Sequence, residues 1–260
     1  MFIVSTYSTA VLFTLVTMLC WGSWANTQKM ADKNWRFELF YWDYVLGILI
    51  MSLIFGFTLG SIGDFGRSFV NDLAQANFSS IISAICGGIV FNLANILVVA
   101  AIAVAGMSVA FPVGIGLALV LGVLINFFFN QQGNPFWLFT GVFLVVLAII
   151  LDAIAYKKLA GITKSIPSKG ILLALSGGIL MSLFYYLVAR SMSMQFMNPE
   201  AGMLTPYSAV FIFSIGILAS NFLFNTFIMK RPVEGQPVTY KDYFAGKIKY
   251  HLIGFLTSDI

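Results

Sequence analysis

The sequence predicts an all-α protein, a polytopic bundle of transmembrane helices, and three observations carry that prediction. Of the 260 residues 60% are hydrophobic and only 9% charged, where soluble domains carry about a quarter charged residues. Residues 86–129 contain no Asp, Glu, Lys, Arg or His, so they cannot form a water-facing surface, and they suffice for two crossings at about 20 residues each. The basic residues gather in short polar connections between apolar runs, where positive charge sits at the ends of membrane spans.

The first helix is expected over residues 7–26. The chain opens without Lys or Arg and lacks a small-residue cleavage site, so this run reads as an uncleaved helix and not as a secretory signal. A charged connection, 29–38, leads to a second helix over 40–60, whose Tyr41-Trp42-Asp43-Tyr44 start is an interfacial aromatic belt. Residues 61–77 read as a loop. Residues 86–129 then form a hairpin of helices three and four. On the third, Gly88, Asn92 and Asn95 fall at i, i+4 and i+7; on the fourth, Gly114, Ala118, Gly122 and Asn126 recur every four residues, so each set shares a face. Small residues let helices approach in lipid and amides bond across the contact, so these faces read either as helix packing or as the lining of a polar cavity. Pro112 removes a helix donor about one turn after Gly106 and frees carbonyls at membrane depth, as in the broken helices that line transporter sites.

Residues 130–135 turn the chain into a fifth helix ending near Tyr156, and 157–169 form a polar connector. A sixth helix is expected over 170–190, a seventh over 204–229, and a polar segment over 230–249. The last residues, 250–260, are apolar but too short to cross. Twelve of the fourteen Lys and Arg fall in the connections after odd-numbered helices, leaving Arg67 and Arg190 on the other side, so those connections should be cytoplasmic and the N-terminus outside. Five helices before the connector make a half-unit, and because five is odd a second copy would enter the membrane inverted. The expected organisation is a first half over 1–156, the connector 157–169, and a partial second half over 170–260 with helices six, seven and the start of eight. Helices eight to ten would be absent, and a second copy of the chain, a homodimer, would be needed to complete the bundle.

Ionisable groups inside apolar stretches cost about 2.5 to 3.5 kcal/mol at midmembrane, and few are present. Asp43, Asp152 and Arg190 stand near interfaces, where anchoring or a salt bridge competes with a functional role. Asp43, a carboxylate beside Tyr44 able to change protonation between states, is the candidate for proton coupling. Trp21, Ser23, Trp24, Asn92, Asn95, Tyr185 and Tyr207 are the candidate solute contacts, since flat aromatic faces and amides suit polar planar or sugar-like molecules.

Enzyme motifs are missing. His251 is the one histidine, which excludes a two-histidine zinc motif, and there is neither a nucleophile elbow nor a phosphate-binding Gly-rich loop. Cys20 and Cys86 lie inside apolar runs and frame no disulfide. No enzyme activity, cofactor or metal is expected. The net charge of +4 is spent on orientation and on lipid headgroups and implies no nucleic acid.

Several stretches together carry a family resemblance: Gly22-Ser23-Trp24; Tyr41-Trp42-Asp43-Tyr44 with the Phe57-Thr-Leu-Gly-Ser-Ile-Gly run; Leu73-Ala-Gln-Ala-Asn; Gly87-Gly-Ile-Val with Asn95; Gly106-Met-Ser-Val; Leu124-Ile-Asn-Phe-Phe; Ser182-Leu-Phe; and Tyr207-Ser-Ala-Val-Phe-Ile-Phe-Ser. In order and in placement on helices the chain resembles the ureide permease family, known chiefly from plant allantoin carriers, within the drug/metabolite transporter superfamily. The resemblance implies a ten-helix carrier of two five-helix halves. The short connector at 157–169, where plant members carry a long hydrophilic loop, resembles a bacterial relative. The expected function is that of a multi-pass permease of the inner (plasma) membrane, a proton-coupled secondary carrier working by alternating access. Its partners would be the bilayer and a small polar solute, a ureide by resemblance, with nucleobase-like solutes or a sugar as alternatives. A non-transporting membrane subunit or an inactive fragment is the alternative outside transport.

Overall fold

The computed structural model describes residues 1–4, 6–27, 30, 35–130, 134–159 and 167–257. They form α1 (Tyr7–Thr27), α2 (Phe37–Phe57), α3 (Phe69–Gln75), α4 (Phe78–Ala105), α5 (Met107–Ala110), a π turn (Phe111–Ile115), α6 (Gly116–Asn130), α7 (Pro135–Leu159), α8 (Ser168–Ser191), α9 (Pro206–Lys230), α10 (Tyr240–Phe244) and α11 (Ile248–Thr257). Among the described residues six stretches are long and apolar enough to cross a membrane: α2, α4, Met107–Phe129, α7, α8 and α9. The chain is a polytopic membrane helix bundle, as its composition predicts.

Two compact units divide the chain. The first comprises residues 1–85, 190–232 and 236–260, and its spine is the antiparallel pair α2 and α9. Asn225 Nδ2 donates to the Glu38 carbonyl at 2.9 Å, the Trp42 indole donates to Met229 Sδ at 3.3 Å, and the Ser52 and Ser214 hydroxyls meet at 3.1 Å. Trp35, Leu39, Phe40, Trp42 and Met229 form an apolar cluster at one end of this pair, and Ala84, Leu204, Ala209 and Ile212 form another. At the first end Arg36 donates to the Gln236 carbonyl. At the other, Arg67 donates to the carbonyls of Glu200 and Met203, and the Asn77 amide to Gly202. Residues 36 and 236 thus share one end of the pair, and residues 67, 77, 200, 202 and 203 share the other.

Two segments expected to be irregular contain helices. α3 lies inside the predicted loop 61–77. A seven-residue helix is too short for periodicity to reveal or for propensity to sustain; tertiary contact sustains this one. Phe69 is buried against Gly56, where a Cβ would come within 2.8 Å of its ring, and it meets Phe57 and Phe211 edge-on at 5.2 and 5.5 Å. α10 lies inside the polar segment 230–249. Its five residues rest on a capping box in which the Thr239 hydroxyl accepts from the Asp242 amide and the Asp242 carboxylate accepts from the Thr239 amide.

The second unit comprises residues 86–189 and 233–235. The break predicted at Gly106 and Pro112 is present. Gly106 takes φ 80°, a left-handed conformation open to glycine, and separates α4 from α5. Pro112 then sits in the π turn, where the Gly116 amide bonds to Phe111 five residues back. The predicted small-residue face of the fourth helix packs against α8. A Cβ on Gly114 would lie 3.2 Å from the Ala174 carbonyl oxygen, and one on Gly178 only 2.5 Å from that of Gly114. Gly177 is pressed in the same way onto Val98 and the Ala94 carbonyl of α4. Backbones touch backbones here, as small residues allow in lipid. Asn126 turns its amide back onto the Gly122 carbonyl at 2.8 Å. No residue in the membrane-length stretch of α7 is buried.

Candidate functional site

The sequence places a carboxylate, Asp43, about one turn into an apolar helix, and the first unit surrounds it with donors. Its side chain is 7% exposed. Tyr243 donates a hydrogen bond to Oδ1 at 2.6 Å, and His251 Nδ1 lies 2.9 Å from Oδ1 and 3.0 Å from Oδ2. Tyr243 comes from α10 and His251 from α11, so residues about 200 positions apart in sequence close on one carboxylate. Trp35 and Tyr243 set the imidazole plane by edge contacts at 5.1 and 4.8 Å. Two glycines let α11 come this close. A Cβ on Gly254 would fall 2.6 Å from the Asp43 Cβ, and one on Gly246 would fall 2.3 Å from the Trp35 ring and 2.8 Å from His251 Nε2. Burial, then the bond to Asp43 and the charge of its carboxylate, push the Tyr243 phenol well above its ordinary value. Tyr243 therefore stays a neutral donor. The remaining contact brings carboxylate and imidazole within hydrogen-bond distance of each other.

A second polar feature runs along α9. Ser214, Asn221 and Asn225 are buried and, spaced seven and four residues apart, share the face turned to α2. Ser214 pairs with Ser52 and also bonds back to Phe211; Ser220, next to this face, is spent on the carbonyls of Gly216 and Ile217. Asn221 differs. It is fully buried, and neither Oδ1 nor Nδ2 has a hydrogen-bond partner; Asn225 Oδ1 is unpartnered as well. A buried polar group left in this condition costs about 1 to 3 kcal/mol.

At the far end of α9 lies a fully satisfied carboxylate. Asp72 of α3 holds Arg67 Nε at 2.9 Å through Oδ1, accepts the Thr205 amide at 2.7 Å through Oδ2, and also accepts from the Ser208 hydroxyl. Thr205 and Ser208 form a capping box with Pro206 at the first helical position. This network fixes the start of α9.

The residues singled out from sequence fall in both units. Asp43 is in the cluster described. Trp21 is 53% exposed, and Ser23 beside it bonds back to the Leu19 carbonyl at 2.6 Å. The Trp24 side chain lies outside the described residues. Tyr207 gives its hydroxyl to the Phe2 carbonyl at 3.1 Å, so no hydrogen bond joins Ser23 to Tyr207. In the second unit Asn92 and Asn95 are buried on α4, and Tyr185 on α8 is 52% exposed. Sequence reasoning missed Tyr243, His251, Asp72, Asn221 and Asn225. The last two carried a signal, since their i, i+4 spacing in an apolar helix repeats the kind of pattern that marks Asn92 and Asn95. The described residues contain no group of three or more His, Cys, Asp or Glu able to hold a metal ion.

Residues 40–166 match the family model for ureide permeases. Among curated proteins the chain is 29% identical to ureide permease 1 of Arabidopsis thaliana over 167 residues, which are 64% of this chain and 43% of that protein. It is 28% identical to ureide permease 3 of the same plant, over 64% of the chain and 48% of the relative. With the probable ureide permease A3 of Vigna unguiculata it shares 31% identity over half of the chain and 36% of the relative. The chain thus spans less than half the length of each of these relatives. No solved structure matches it. These relatives are permeases by name.

Proposed function

We propose that this chain, kin to the ureide permeases across residues 40–166, is a membrane carrier for a small polar metabolite of the ureide class, driven by protons. The observation that carries the proton-coupled part is the Asp43, His251 and Tyr243 cluster. A membrane-buried carboxylate is costly, and this one faces the chain's one imidazole at 2.9 Å. An imidazole is the side chain that ordinarily exchanges a proton near neutral pH. Because His251 rides on α11 and Asp43 on α2, a proton passing between bulk water and the pair changes what holds those helices together. That is the requirement for linking protonation to alternating access.

The same reading puts the odd-numbered connections in the cytoplasm and the N-terminus outside, from the distribution of Lys and Arg. Asn92 and Asn95, buried amides on α4, are proposed solute contacts of the second unit, and Asn92→Leu should abolish uptake while leaving folding nearly intact. The carrier reading is tested by reconstituting the protein in liposomes and measuring uptake of radiolabelled ureides, nucleobases and sugars under an imposed proton gradient. Accumulation of a ureide that collapses with a protonophore supports it. Saturable sugar uptake without ureide uptake would reassign the substrate, and absence of any uptake would remove the carrier reading.

A further inference from the structure

We infer that Asn221 and Asn225 on α9 form a recognition site for the ureido group, a reading that rests on the carrier function proposed above and names where the first unit would hold its solute. Three side-chain atoms at this place have no partner: Asn221 Nδ2, Asn221 Oδ1 and Asn225 Oδ1. The fourth, Asn225 Nδ2, is held by the Glu38 carbonyl at 2.9 Å, which fixes that side chain with its oxygen left over. The free set is therefore one donor and two acceptors, carried on one helix face four residues apart.

A ureido group presents the complement of this set. Its carbonyl oxygen accepts one hydrogen bond and is flanked by N–H groups that donate two. The Asn221 carboxamide can pair edge to edge with one N–H and the C=O, as two amides do, while Asn225 Oδ1 takes the second N–H. A sugar offers no planar edge of this kind.

The surroundings give these three atoms no other use. The contacts of Asn225 with Glu38 and of Ser214 with Ser52 set the register of α9 on α2. Midway between Glu38 and Ser52, seven residues from each, stands Val45, fully buried. Asn221 lies four residues from Asn225 and seven from Ser214 on α9, so by that register it falls against residues 42–45 of α2, where Trp42 and Val45 are buried. Asn221 is itself 0% exposed. A solute could then reach the amides only when α2 and α9 part, so the described arrangement is closed at this place.

The test uses the full chain in nanodiscs with radiolabelled allantoin, a ureide, as the probe, and reads equilibrium binding together with the thermal unfolding midpoint. Asn221→Leu should lower allantoin affinity about 10- to 100-fold while unfolding at the same temperature as the wild type or higher, because it removes a buried polar group that bonds to nothing. Asn225→Leu should also weaken binding, but with a lower midpoint, since it breaks the bond to Glu38. If Asn221→Leu does not fold, Asn221→Ala, which adds no bulk, is read in its place. Unchanged binding in the Asn221 variants overturns the site and leaves the carrier reading standing. Failure of both variants to fold also overturns it, by making the amide a packing partner. A wild-type protein that binds glucose and not allantoin removes the ureide reading and this site with it.

Discussion

His251 Nδ1 sits within 3.0 Å of both carboxylate oxygens of Asp43, although 208 residues separate the two in sequence. If this contact couples the carrier to protons, as proposed, removing either partner should uncouple the gradient from the solute. Asp43→Asn and His251→Gln are each expected to cut proton-driven accumulation more than about tenfold, as loss of a positioned acid or base does. Solute exchange at equal pH on both sides should survive in both. Full accumulation in either variant would detach the pair from coupling.

Tyr243 gives the cluster an alkaline limit. Its phenol is raised in the folded protein, first by burial and then by its bond to Asp43 and the carboxylate charge. A raised value means that the stabilisation is fully present below the unfolded phenol's range, near about pH 10, and is lost as pH rises through the folded value. Wild-type protein in nanodiscs should lose stability over that alkaline interval, and Tyr243→Phe should flatten this part of the profile. Equal alkaline slopes for the two would refute the assignment.

Gly254 and Gly22 make a matched pair of tests. A Cβ at Gly254 meets the Asp43 Cβ at 2.6 Å and the Phe40 carbonyl oxygen at 3.2 Å, whereas one at Gly22 meets nothing within 4 Å. Gly254→Ala should therefore destabilise by about 1 to 3 kcal/mol through overpacking. Gly22→Ala should be neutral or gain about 0.5 to 1 kcal/mol from helix propensity. Thermal midpoints of the two variants, measured side by side, decide this; a stabilised Gly254→Ala would mean that α11 does not press on α2.

Asp72→Ala removes the acceptor for the Thr205 amide and the Ser208 hydroxyl and leaves Arg67 without its carboxylate. A loss of about 2 to 4 kcal/mol is expected from a buried, hydrogen-bonded carboxylate. Hydrogen exchange should locate the loosening in the first turns of α9. Uniform exchange across the chain would argue against a local cap.

Orientation is open to labelling. In a background with Cys20 and Cys86 replaced by Ser, Ser61→Cys and Asn134→Cys should react with an impermeant thiol reagent added outside cells, and Thr163→Cys should not. The reverse pattern would invert the topology.

Hydropathy alone made the membrane helices legible, because a crossing is long and its composition excludes charge. The Gly106 break was legible for a different reason: glycine and Pro112 act on the backbone at their own positions, whatever else the chain does. α3 was not, since Phe69 holds it in place from outside its own seven residues. The partners of Asp43 were hidden for the same cause. Helix two shows a carboxylate near an interface, but that the interface is closed by Tyr243 and His251 is a property of how the end of the chain folds back. Asn221 and Asn225 were visible as a spacing, but their missing partners became apparent only with α2 packed across them.

The π turn at Phe111–Ile115 contains one residue more than an α-helix would use over the same rise. Deleting a single residue there should be absorbed as a plain α-helical turn, with Pro112 the natural choice since its removal also restores an amide donor. The segments on either side would then keep both their hydrogen bonds and their phase, because the π turn holds its extra residue within the turn that an α-helix would make there. Gly114 faces Ala174 and Gly178 of α8, and that contact should survive the deletion. The turn is thus a length buffer: the fourth span can lose a codon here without changing which of its side chains look inward.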